Sequence, residues 1–337
     1  MNRYQRNIDL LNSIRNYLPL KKDKSTRLFL SENDLDGYDD AELFRLFFVF
    51  CQDNLDKNGK KFGMPNALFC FERNNGLNAW ACRHKDMYII SMYDMYFQTL
   101  KRRIIDENRL VETLDFEKKY GRLLSVITVR IEDLIFHSST LFTYYHELAH
   151  LIQYKSKESE MKFESDDDSS FSLLNHIYEF DADLNGSQFV CFHLLDYIIN
   201  SNIVDDKLVE QLLSIGLASI LITRLILEDY KDDSKVEPIY FREKSHPHTV
   251  VRAVYILNHM VYTAKNNLQY SHLNDKNILQ DCFSIVSDFF NDSKLKEFLE
   301  EFYYNPKPVE DYVNFLNSES ENHQELVRFQ HHLFDID

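Results

Sequence analysis

Tyr144-Tyr145-His146-Glu147-Leu148-Ala149-His150-Leu151-Ile152-Gln153 sits inside an apolar pattern with a helical period. Leu141, Tyr145, Leu148, Leu151 and Ile152 recur at three- and four-residue intervals, which predicts a helix over 140–154. Ser138, Ser139 or Thr140 is expected to cap its start. On such a helix His146 and His150 lie one turn apart on one face, so both imidazoles can reach one ion. Glu147 is rotated from His146 by about 100°, which places a carboxylate beside the ion rather than on it. Two neutral nitrogen ligands, an open position and an adjacent base are what metal-assisted hydrolysis requires. The motif is short, so the reading turns on whether a third ligand follows.

Glu179, 29 residues beyond His150, is the candidate. It stands in Tyr178-Glu179-Phe180-Asp181-Ala182-Asp183-Leu184-Asn185-Gly186, where Glu179 and Asp183 are four apart and share one helical face. Glu179 could supply the third ligand, and Asp183 could accept the free N–H of His146 and fix its tautomer. Gly186 allows two helices to approach closely. A further stretch is Ser245-His246-Pro247-His248-Thr249-Val250-Val251-Arg252. Pro247 suits the first position of a helix, with Ser245 or His246 near its cap. His246, in preference to His248, and Arg252 are then candidates for an oxyanion donor and an anchor for Glu179. Tyr145 is a second candidate for the oxyanion. Met64-Pro65-Asn66-Ala67 leads into a short strand, where Asn66 and Ala67 are candidates for pairing with an extended substrate.

Around these motifs the chain of 337 residues reads as mainly α with a small antiparallel β-sheet, an α+β fold. Gly (7) and Pro (6) are scarce, which favours long helices with few tight turns. Residues 1–60 form an N-terminal helical region, 61–265 the core, and 266–337 a C-terminal helical region, expected to pack as one unit. Short apolar runs at 67–73, 77–83 and 87–91 are separated by Asn74-Asn75-Gly76 and His84-Lys85-Asp86, both turn chemistry. Helices are expected at 93–107, 116–125, 175–200, 207–230 and 247–266, and in the tail at 278–289, 294–302 and 308–333. The acidic, serine-rich stretch 155–170 reads as a loop or a lid, and it or the helical tail is a candidate restraint on activity.

A net charge of −16 leaves no basic surplus to neutralise phosphates, which excludes nucleic acid as the main partner. Five cysteines without a C-x-x-C pair fit a reducing cytoplasm. The N-terminal residues lack the apolar core of a signal peptide. The stretch 212–227 is short of a membrane span, contains Arg224, and reads as a buried core helix, so no stable membrane insertion is expected.

Taken in order, Pro65-Asn66-Ala67 before a hairpin, His146-Glu147-x-x-His150, Glu179-x-x-Ala182-Asp183-x-x-Gly186, and His246-Pro247 followed by Arg252 resemble the gluzincin metallopeptidases. The group concerned contains the CAAX prenyl proteases and the heat-shock membrane proteases, and the resemblance covers about residues 60–260. It implies a zincin-like core, Zn2+ bound by His146, His150 and Glu179, Glu147 as the base, and Asp183 orienting a ligand. The chain departs from that group by lacking clear transmembrane helices. In size and solubility it is similar to the phage-exclusion peptidase family called Lit, bacterial cytoplasmic proteases that cut a translation elongation factor during phage infection. The function expected is therefore zinc-dependent cleavage of a protein or peptide substrate. The competing readings are a zinc-stabilised, non-catalytic interaction protein and a regulatory protease that cuts a repressor. A second metal site is not expected among the remaining histidines, including His84, His331 and His332.

Overall fold

Few glycines and prolines leave long helical stretches unbroken, and the architecture is mainly helical with one small sheet. A computed structural model describes residues 3–18, 27–107, 110–154, 170–229, 238–267, 272–290 and 293–323. The N-terminal region supplies α1 (Arg3–Ile14), the short α2 (Glu32–Leu35) and α3 (Ala41–Asn58). Strands β1 (Ala67–Glu72), β2 (Ala79–His84) and β3 (Met87–Tyr93) follow, then α4 (Asp94–Lys101), which runs on into a π-helical turn. Helices α5 (Leu114–Leu124), α6 (Ile131–Tyr154), α7 (Leu173–Asn200), α8 (Asp206–Asp229) and α9 (Thr249–Asn266) form the middle of the chain. The tail folds as α10 (Asp275–Phe290), α11 (Ser293–Tyr304) and α12 (Pro306–Asn322). Residues 155–169 and 324–337, which carry most of the expected loop or lid and the end of the expected tail helix, lie outside the described residues.

The residues group into two units. One holds α1–α3, the sheet, most of α4, and the part of α6 from Glu147 onward; the other holds α5, α6 up to His146, and α7–α12. The division falls inside α6, a single uninterrupted helix.

In the first unit, one sheet face is built from Phe69 and Phe71, which meet Phe44, Phe47 and Phe97 at ring-centroid distances of 4.8–6.4 Å. The sheet order is β1-β3-β2, with β2 antiparallel and β1 parallel to β3, so the sheet is mixed and not antiparallel as the sequence suggested. His84-Lys85-Asp86 closes the β2–β3 hairpin, with Lys85 at φ 55°. Asn74-Asn75-Gly76 does not close one. The Asn74 amide donates to Asp94 at the end of β3 (2.8 Å), and the Gly76 amide donates to the Asn74 side chain (3.0 Å). The loop is thus tied to the far end of β3, and β3 enters between β1 and β2.

The outer edge of β1 is occupied from within the unit. Gln52 accepts from the Phe69 amide (3.0 Å) and donates to the Ala67 carbonyl (3.1 Å), while Asn7 donates to the Phe69 carbonyl (3.1 Å). Farther along, Leu30 donates to Phe71 (3.0 Å) and Arg73 to Leu28 (2.7 Å). The Asn66 side chain donates to Asp86 at 3.1 Å. An extended substrate would therefore have to displace the Gln52 bond to pair at Ala67.

Helix α6 begins at Ile131, nine residues before the expected start, with Arg130 and Asp133 paired at its first turn (2.7 Å). Ser138, Ser139 and Thr140 are interior helical residues and not caps. Thr140 turns its hydroxyl back to the carbonyls of Phe136 and His137, both at 3.0 Å, and Ser139 donates to Ser219 of α8 at 3.2 Å. A hydroxyl that finds a carbonyl one turn back carries the same sequence signature as a cap.

Helix α8 is the one described helix long and apolar enough to cross a membrane, and 89% of that window is buried inside the protein. It packs on α7 and α10 as a core helix. The approach of α6 to α7 depends on Gly186: a Cβ there would lie 2.9 Å from both the ring and the carbonyl oxygen of Phe142. Gly186→Ala should cost about 1–3 kcal/mol through overpacking, read as a lowered denaturation midpoint with an unchanged m-value. An unaltered midpoint would show that the helices separate at no cost.

Candidate metal centre

The continuity of α6 sets the first two side chains. His146 and His150 stand one turn apart near its C-terminal end, both largely buried. Helix α7 brings Glu179, also buried, so that one ligand atom from each of the three lies within 4.8 Å of the others. Among the described residues this is the one group of histidine, cysteine and carboxylate side chains placed to share an ion.

The other nitrogen of each ring has an oxygen beside it. His146 Nδ1 lies 3.0 Å from Asp183 Oδ1, and its Nε2 lies 3.6 Å from Glu179 Oε2. His150 Nδ1 pairs with Gln153 Oε1 at 2.8 Å. An amide oxygen only accepts, so Nδ1 of His150 carries the proton and Nε2 keeps its lone pair. Ligand atoms around a tetrahedral ion with bonds of roughly 2.1 Å stand about 3.4 Å apart, close to the His146–Glu179 separation. The donor set and its spacing therefore fit a metal ion.

No family model, curated protein or solved structure matches this chain.

Arg252, in the first turn of α9, closes the back of the site. Its Nε and Nη2 donate to the two oxygens of Asp183 at 2.7 and 2.8 Å, and Nη2 also lies 2.7 Å from Glu179 Oε2. Tyr255, one turn further along α9, donates to Asp183 Oδ2 at 2.7 Å. Burial alone would raise the Asp183 pKa, but the Arg252 guanidinium and His146 outweigh it and hold the carboxyl well below its usual range. Burial pushes the Tyr255 phenol up, so it stays a neutral donor. Glu179 Oε2 faces both His146 and Arg252; a carboxylate oxygen has two lone pairs, enough for an ion and a guanidinium.

Glu147 is buried beside His146 on α6. Helix α9 starts at Thr249, two residues later than Pro247 suggested. His248 is its cap, extended at φ −60° and ψ 144°, with Nδ1 accepting from the Val250 amide at 3.1 Å, so Pro247 lies outside the helix. His248 is thereby committed to the backbone. His246 is half-buried, with Nδ1 on the Ser245 hydroxyl at 2.8 Å. Tyr145 turns elsewhere: its hydroxyl meets His193 Nε2 at 2.9 Å and its ring stacks on Phe189 at 4.1 Å, which removes it as an oxyanion donor.

Gln153 and Tyr255 were not singled out from the sequence. Each lies three residues beyond a residue that was, Gln153 after His150 and Tyr255 after Arg252, so one-turn spacing was the available signal.

Proposed function

We propose that the chain is a zinc-dependent endopeptidase with a zincin-like core, held by His146, His150 and Glu179. The observation that carries this reading is the convergence of those three ligand atoms, with the far nitrogen of each histidine occupied by Asp183 or Gln153. Nitrogen and carboxylate donors in a two-histidine, one-glutamate set suit zinc. Zinc bound there would polarise a peptide carbonyl and lower the pKa of water towards about 7.

The remaining work falls to the chain's own side chains. Glu147 takes the proton of the attacking water and passes it to the leaving amine. Where Ser245 donates to Nδ1 of His246, the His246 proton sits on Nε2, which can donate to the developing oxyanion. Asp183, Gln153 and Arg252 hold the ligands in orientation. The substrate is a protein or peptide. The resemblance to the Lit family makes a host translation factor in anti-phage defence, and a cytoplasmic location, the finer form of the proposal.

Metal content of purified wild type and Glu179→Ala tests this directly. One zinc per chain is expected in the wild type, and its loss from the variant after exposure to a chelator. Zinc that persists in the variant would remove Glu179 from the ligand set. A folded wild type that takes up no zinc would overturn the function.

A further inference from the structure

His176 is fully buried on α7, one turn before Glu179, and the chemistry above does not use it. Its Nε2 stands 2.9 Å from the carbonyl oxygen of Lys244, and its Nδ1 stands 2.8 Å from the hydroxyl of Tyr312 on α12. A carbonyl can only accept, so Nε2 carries a proton. Burial pushes the ring's pKa down to about 4, so the imidazole is neutral at ordinary pH and Nδ1 is an acceptor. The order of donation is then fixed: Tyr312 O–H to His176 Nδ1, and His176 Nε2–H to the Lys244 carbonyl.

Lys244 is two residues before His246, in an irregular strap that runs from 238 to the start of α9. Such a segment has no helical ladder to fix its carbonyls, so its conformation depends on outside partners. The tail helices supply them on one side. Glu301 of α11 accepts from the Ile239 amide at 3.2 Å, Phe241 packs on Tyr312 with ring centroids at 5.4 Å, and Arg242 lies 4.6 Å over Phe315. His176 holds the strap from α7, the helix that also carries Glu179 and Asp183. Apolar packing would bury the strap as well, but it would leave the direction of the Lys244 carbonyl open. The two bonds to His176 fix that direction and, through it, the backbone leading into Ser245 and His246.

We infer that Tyr312, acting through His176, is a positioning residue that sets the strap so that His246 faces the metal centre. The tail helix α12 is on this account a support for the site and not a restraint on it. The inference rests on the proposed role of His246, while the ordering of the strap can be measured without it.

The test compares wild type with Tyr312→Phe, His176→Leu and His176→Gln. Gln can reach the Lys244 carbonyl with its amide N–H, so it should rescue what Leu loses. Backbone hydrogen exchange of residues 238–248 should rise by at least about 10-fold in Tyr312→Phe and His176→Leu, and stay near wild type in His176→Gln. Zinc content should not change in any of them. On fluorescein-labelled casein, kcat should fall in Tyr312→Phe with little change in KM. Combined with His246→Ala, Tyr312→Phe should have no further effect, because both changes act through the same group. Unchanged exchange in Tyr312→Phe overturns the inference. So does a fall in kcat of equal size in the His246→Ala background. A wild type that takes up no zinc, or binds zinc but leaves casein intact, counts against the proposed function, and the exchange comparison still decides whether Tyr312 and His176 order the strap.

Discussion

Glu147→Gln should abolish peptide-bond cleavage, by at least about 100-fold, while zinc content stays at the wild-type level. The two side chains have the same shape and fill the same buried position on α6, so packing is preserved. The difference is chemical: a carboxylate can take a proton from water and return it to the leaving amine, and a carboxamide cannot. Glu147 belongs to neither the group of three converging ligands nor the Asp183–Arg252 network, so its replacement leaves the ion's donors intact. The pair of measurements is metal analysis by mass spectrometry and casein cleavage on the same preparation. Retained proteolysis would remove Glu147 as the base. Loss of zinc would mean that Glu147 contributes to holding the ion.

The parts of this centre that were legible in the sequence are those a helix encodes locally. Histidines four apart at 146 and 150, and carboxylates four apart at 179 and 183, each report one face of one helix. What the sequence did not yield lies in partners far along the chain. His176 finds its two partners 68 and 136 residues away, at Lys244 and Tyr312, and no periodicity joins them. The sheet shows the same limit. Short apolar runs between turn residues mark β1, β2 and β3 as strands, but their order depends on a loop anchored at Asp94, 20 residues beyond Asn74. The covering of the β1 edge was not legible for a related reason: the side chains that supply it, Asn7 and Gln52, come from α1 and α3, and neither position advertises a partner. At the start of α6 the failure was one of degeneracy, since Ser138, Ser139 and Thr140 suit a cap and an interior back-bonded turn equally well.

Arg252→Met should give the largest loss of stability of any single change at the site, about 3–5 kcal/mol in the metal-free protein. Arg252 is 4% exposed and is bonded to Asp183 and Glu179, which are 0% and 3% exposed. Met fills much of the side-chain volume, so the loss measures charge and not a cavity. It leaves two buried carboxylates without their guanidinium, and their desolvation is no longer compensated. The pH dependence distinguishes this from a packing defect. In the wild type Asp183 is held below its unfolded pKa of about 3.9, so its contribution is present above that value and lost only as pH falls through the lower folded one. Without Arg252, burial dominates and the folded pKa should rise above the unfolded value. The sign then reverses: the variant should gain stability on mild acidification, as the carboxyl takes up a proton, while the wild type should not. Asp183→Asn placed in the Arg252→Met background should recover part of the loss at neutral pH, because it removes one of the two stranded charges. Denaturant titrations of the chelator-treated proteins at pH 5 and pH 7 provide the comparison. A deficit that is the same at both pH values, and that Asp183→Asn does not relieve, would mean that Arg252 acts by filling space and that the charges at the back of the centre are balanced in some other way.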